Sequence, residues 1–189
     1  MSHVIRLKTF GLAITVISVL LLANTLFYMV TKGGFNLKAL GALIGYLILL
    51  FFGVTVWRQY SYGPEWMYAG GMDVKMGVLV GYLVYSGASW LIYAGLSYEN
   101  NLDLAIRTAI GLVYILVGFY ASTKGTGHRF LLVVTLIACV ASIIYSGIFM
   151  VDVVSRNILV ALASILEMLY TVILIVYLFD DDVRKQFLG

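Results

Sequence analysis

Six apolar runs govern what this chain can become. They are Thr9 to Val30, Leu40 to Trp57, Met76 to Leu96, Leu104 to Ser122, Phe130 to Val151 and Ile158 to Phe179. Each is 18 to 22 residues long, and about 20 apolar residues in a helix cross the hydrocarbon core of a bilayer. Charges or turn residues close each run: Lys32-Gly33-Gly34, Arg58, Glu99-Asn100-Asn101, Lys124-Gly125, Asp152 and Asp180-Asp181-Asp182. None of the runs alternates polar and apolar residues with the period of two that a barrel strand requires. A backbone in lipid must satisfy its own hydrogen bonds, which leaves the helix as the solution. The expected fold is all-α: a polytopic integral membrane protein, a bundle of six transmembrane helices forming a single domain over residues 1–189.

Composition narrows the alternatives. Of 189 residues, 62% are hydrophobic and 11% charged, against about a quarter charged in soluble domains. Little chain is left for a soluble domain. A single cysteine excludes a secreted disulfide scaffold. Twelve Lys and Arg residues, thinly spread, make no patch for nucleic acid. The first run is about twice as long as the apolar core of a signal peptide and reads as a true span.

Orientation follows from the cationic flanks. An even number of spans puts both termini on one side, which carries Arg6, Lys8, Arg58, Lys75, Lys124, Arg129, Arg184 and Lys185. The other side carries Lys32, Lys38, Arg107 and Arg156. The bias predicts cytoplasmic termini, in a multi-pass protein of the cell membrane. Four of the five connections are short and favour antiparallel neighbours. The exception, Arg58 to Lys75, holds Tyr60, Tyr62, Trp66, Tyr68 and the only proline, Pro64. It is expected to lie at headgroup level, where aromatic rings are half apolar and half wet. Short echoes (Asn36-Leu37 with Gly53, Asn101-Leu102 with Gly118; Tyr85-Ser86-Gly87 with Tyr145-Ser146-Gly147) hint at three helical hairpins in series.

Glu167 is the most informative residue. It is the only acid well inside an apolar run, ten residues past Asn157. A charge at the centre of a membrane helix costs about 2.5–3.5 kcal/mol on insertion scales, so this carboxyl is expected to be neutral or paired. Ser164, Tyr170 and Thr171 share its helix face at spacings of three and four, and that stripe should face the bundle interior. Arg107 is a candidate partner, entering from the same side. A rise of 1.5 Å per residue puts Glu167 roughly 15 Å and Arg107 roughly 5 Å below that surface, a gap the two side chains can span. The structural alternative has Arg107 reaching out to headgroups and Glu167 bonding a neighbouring helix. Asn24 lies deep in the first run near Thr15, Ser18 and Thr25, placed either for interhelical hydrogen bonding or for a ligand.

Other features read as structure. Gly41 with Gly45 and Gly77 with Gly81 are small-residue pairs that let helices approach closely, and Gly111 and Gly118 share a face. Asp180-Asp181-Asp182 lacks the second acidic element a divalent ion needs. It reads as a helix stop followed by a short surface helix, with Val183 and Phe187 four apart and Arg184 and Lys185 toward headgroups. His3 and His128 lie outside the runs, so a bis-histidine haem is excluded, and Cys139 reads as packing. No HExxH, GxSxG or P-loop pattern occurs. No cofactor or metal is expected, and an enzyme is the less favoured reading.

Six spans in 189 residues, with both ends on one side, is similar in outline to the substrate-binding subunits of energy-coupling-factor vitamin transporters. Those carry proline-rich breaks and alanine-rich faces, which this chain lacks. The outline also resembles small stress-related membrane proteins built from three hairpins. No motif accompanies either likeness, so neither assigns a residue.

The leading functional expectation is a transport or solute-binding module whose intramembrane polar site centres on Glu167 and draws on Arg107, Ser164, Tyr170, Thr171 and Asn24. The alternative is a non-catalytic accessory subunit of a larger membrane complex, with Glu167 as interhelical glue. A lipid-modifying enzyme ranks third. Expected partners are membrane lipid and a small solute or proton. In the alternative they are other membrane subunits or further copies of the chain. Nucleic acid is not among them.

Overall fold

A computed structural model describes residues 6–33, 35–61, 72–97, 100–124, 129–155 and 157–188. Every regular element among them is helical: α1 (Leu7–Tyr28, extended by a π turn, Met29–Gly33), α2 (Leu37–Gln59), α3 (Met72–Ser97), α4 (Asn101–Lys124), α5 (Arg129–Val153), α6 (Ile158–Leu178) and α7 (Asp181–Leu188). The first six are long and apolar enough to cross a membrane. Most of the aromatic connection read from the sequence, residues 62–71, lies outside the described residues, as do Arg156, His3 and His128.

The apolar surface is distributed as lipid requires. Only 33–50% of each span is buried inside the bundle. Phe27, Phe51, Leu116, Ile137 and Ile148 point outward, more than half exposed. A soluble protein does not present so continuous an apolar surface to water. This is a multi-pass membrane protein.

The helices begin where the sequence offers caps. The side chains of Asn36, Asn100 and Asn157 accept hydrogen bonds from the backbone N–H of Ala39, Asp103 and Leu159. Each cap satisfies one of the orphan donors of a first turn, and each opens the second helix of a hairpin. Because of its cap, α4 starts at Asn101, three residues before the apolar run. Hydropathy sees only the apolar residues, whereas the cap and Asp103, an acid suited to the positive end of the helix, carry the helix into polar sequence.

The six spans close into a ring. Each packs on its sequence neighbours, and α6 returns to α1. Backbones approach closely where glycine permits it. A Cβ on Gly11 would fall 2.5 Å from the Trp57 nitrogen, and one on Gly53 would fall 2.8 Å from the Thr15 nitrogen, which joins α1 to α2. Gly87 and Gly111 face one another between α3 and α4, with a Cβ on the first 2.6 Å from the carbonyl oxygen of the second. Gly118 also faces α3, whereas Gly77 faces open space. Phe10 at the start of α1 stacks on Tyr177 at the end of α6, centroids 4.2 Å apart. The start of α1 and the end of α6 therefore share one end of the bundle, here the lower end. The starts of α2, α4 and α6 form the upper end.

Candidate functional site

Inside the ring, Tyr82 of α3 crosses the bundle to α6. Its ring stacks on Tyr170, centroids 4.8 Å apart, and its hydroxyl donates to the Tyr170 carbonyl at 2.7 Å. Below this pair, Phe10 and Tyr177 fill the lower half. Above it lies a cavity of about 40 Å³, walled by Tyr46, Ser86, Trp90, Tyr93, Arg107, Glu167, Tyr170 and Thr171 among others. A water molecule needs about 10–15 Å³ by the same measure, so there is room for roughly three. A second cavity of about 120 Å³ sits closer to the upper end, lined by Asn24, Lys38, Phe149 and Leu159 among others. Ala42, Tyr46 and Tyr93 line both and form the partition.

Glu167 is held from α2. The Tyr46 hydroxyl donates to its Oε1 at 2.6 Å, and Thr171, one turn further along α6, returns its hydroxyl to the Glu167 carbonyl. Tyr46 is itself 4% exposed. Its smaller neighbours Ala42 and Gly45 leave the space into which the carboxyl projects.

Arg107 is 3% exposed and points into the bundle rather than out to headgroups, whereas Glu167 does bond a neighbouring helix through Tyr46. Its Nε donates to Asp103 one turn earlier on α4, and the Tyr145 hydroxyl of α5 donates to the same carboxylate. The guanidinium carbon lies 4.2 Å from the centroid of Tyr93, 5.1 Å from Tyr145, 5.6 Å from Phe149 and 5.8 Å from Trp90. A delocalised cation is well matched to such ring faces. The earlier start of α4 also deepens Arg107: seven residues from its cap, it lies roughly 10 Å in, against roughly 15 Å for Glu167.

The cavity thus gathers Glu167, Arg107, Tyr170 and Thr171 from the sequence reading. Arg107 and Glu167 share it without a direct ion pair, the one bonded to Asp103 and the other to Tyr46. Ser164 is buried but returns its hydroxyl to the Val160 carbonyl of its own helix and does not line the cavity. Asn24 donates to the Leu159 carbonyl at 2.8 Å, joining α1 to α6, and lines the upper cavity instead.

Three residues escaped the sequence reading. Tyr46 looked like one aromatic among many, and nothing in α2 marks it as the partner of a residue 121 positions away. Asp103 did carry a signal: it stands four before Arg107, the spacing of a helical ion pair. Lys75 was counted as a flanking surface charge and is instead fully buried at the lower end. Its Nζ donates to both oxygens of Asp180, at 3.0 and 2.9 Å, and to Asp182 at 2.7 Å. Asp180 also accepts from the backbone N–H of Asp182 and so caps α7. The aspartate run is a helix stop and start, as expected, but α7 is more than a surface helix. Val183 and Phe187 are buried under the bundle, while Arg184 is exposed.

The chain matches no protein-family model, no curated protein and no solved structure.

Proposed function

We propose that this membrane protein is a small transport or solute-binding module whose site is the cavity between Glu167 and Arg107. The observation that carries the reading is the placement of a carboxyl, a guanidinium and a tyrosine hydroxyl around water-sized space inside a membrane bundle. Ionisable groups at that depth are costly, face the bundle interior or a water-filled cavity, and mark solute and proton pathways. The two cavities in line, parted by Tyr46 and Tyr93, support access from the upper end. The stacked rings of Tyr82 and Tyr170 and the packed lower half support closure at the other. The carboxyl would take and release a proton or a polar solute, with Tyr46 orienting it.

The alternative, an accessory subunit, calls for a small-residue face turned outward. Gly11, Gly53, Gly87, Gly111 and Gly118 are all spent on contacts inside the bundle, and Gly77 and Gly95, which meet open space, stand 18 residues apart on α3 and make no continuous face, so the transport reading is preferred. The test is flux. Purified protein in vesicles loaded with a pH-sensitive dye should collapse an imposed proton gradient in the presence of a transported solute, and Glu167→Gln should abolish that response. Absence of any solute-dependent flux, together with stable stoichiometric partners in mild detergent, would overturn the reading in favour of a subunit.

A further inference from the structure

The cavity also carries an indication of what it would hold. Resting on the reading above, we propose that the site takes a small planar monoanion of three or four heavy atoms, such as a short carboxylate, and takes it while Glu167 is protonated.

The argument begins with Arg107. A guanidinium offers two hydrogen-bonding edges that match a planar oxyanion. Asp103 occupies the Nε edge alone. The terminal nitrogens carry no ion pair, on a side chain that is 3% exposed and lines the cavity. Rings from α3 and α5 lie close to the guanidinium, so the free fork is rigid and ready to bind. Such preorganisation spares a ligand the cost of ordering its receptor.

Charge sets the proton. Arg107 and Asp103 cancel. Facing Glu167 from the other helices are Tyr46 on α2, Tyr93 on α3, Arg107 on α4 and Tyr170 on its own helix; α1 contributes Leu21. With Glu167 ionised the cluster sums to one negative charge and repels an anion. With Glu167 protonated the cluster is neutral, the free fork attracts, and the carboxyl supplies a further donor. Size sets the rest, since space for roughly three waters accommodates formate or acetate and excludes a larger solute.

Equilibrium binding tests this independently of flux. Formate is titrated into the detergent-solubilised full chain between pH 5 and 8, with binding followed by the fluorescence of Trp90 at the cavity wall against a Trp57→Phe/Trp66→Phe background. Formamide and methylammonium serve as neutral and cationic probes. Saturable formate binding is expected, tightening as pH falls, and neither other probe should match it. Arg107→Lys keeps the charge but loses the fork and should weaken formate at least tenfold. Glu167→Gln imitates the protonated carboxyl and should keep formate binding while flattening its pH dependence, a readout that survives if the arginine variant does not fold. Preferential methylammonium binding, or loss of formate binding in Glu167→Gln, would overturn the proposal. Formate binding without flux would leave it standing and remove the transport reading. Flux of a cation alone would do the reverse.

Discussion

Replacing Lys75 by methionine should cost this bundle much of its lower end. The Nζ group has three donors, and all three have acceptors: Asp180 twice, at 3.0 and 2.9 Å, and Asp182 at 2.7 Å. Methionine fills similar volume but leaves two carboxylates side by side, one of them 0% exposed. Removing one partner of a buried ion pair costs about 3–5 kcal/mol. Two features moderate this. Asp182 keeps 31% of its side chain accessible, and Asp180 retains backbone donors from α7. The expected loss is therefore about 3–4 kcal/mol, in the lower part of that range. The assay is reversible unfolding in mixed detergent micelles, paired with limited carboxypeptidase digestion to report release of α7. Adding Asp180→Asn to Lys75→Met should recover part of the loss, because asparagine still caps the helix and removes the stranded charge. A loss below about 1 kcal/mol is what an exposed pair is worth, and it would refute the sequestered cluster described here.

Two further substitutions probe the packing. Gly87→Ala would set a Cβ 2.6 Å from both the Gly111 carbonyl oxygen and the Ile115 Cγ1; the isoleucine side chain can shift but the backbone oxygen cannot, so it should destabilise by about 1–3 kcal/mol in the same assay. Gly77→Ala meets nothing within 4 Å and should fall within about 0.5 kcal/mol of the parent. Ser18 is fully buried, and its hydroxyl has no hydrogen-bond partner among the described residues. Ser18→Ala should therefore raise stability by about 1 kcal/mol, the low end of the penalty for an unsatisfied buried group; a loss would mean that the hydroxyl is in use.

The spans were legible because lipid imposes one requirement on every residue of a run, and apolar length reports it directly. Their ends were less so. Asn100 and Asp103 extend α4 through capping and the helix dipole, which hydropathy does not weigh. Glu167 stood out because its cost is intrinsic to its depth. Its partner did not, since which tyrosine meets it depends on how α2 and α6 rotate about their axes. Lys75 shows the limit most clearly. Charge near the end of a run looks the same whether it faces headgroups or a pair of aspartates 105 and 107 positions away, and only the closing of the ring brings them together.

That ring is not equally stiff all round. Glycine contacts hold α1 to α2 and α3 to α4 backbone to backbone, through Gly11, Gly53, Gly87 and Gly111, and Gly45 of α2 seats the short Ser89 side chain of α3. The hairpin of α5 and α6 has no such seam: a Cβ on Gly147 would meet only the Met168 sulfur, at an ordinary 3.9 Å, and Tyr114 reaches α5 through side-chain hydroxyls. Side-chain contacts can slide or change rotamer; backbone seams cannot. Relative displacement within the bundle is therefore easiest at the third hairpin, where the side-chain bonds of Asn24, Tyr82 and Lys75 are what hold it to α1 and α3. Glu167 rides on that hairpin, while Tyr46, Asp103 and Arg107 ride on the first four helices. Changing the distance between carboxyl and guanidinium is thus a rigid shift of one hairpin against the other two, and needs no unwinding of any span.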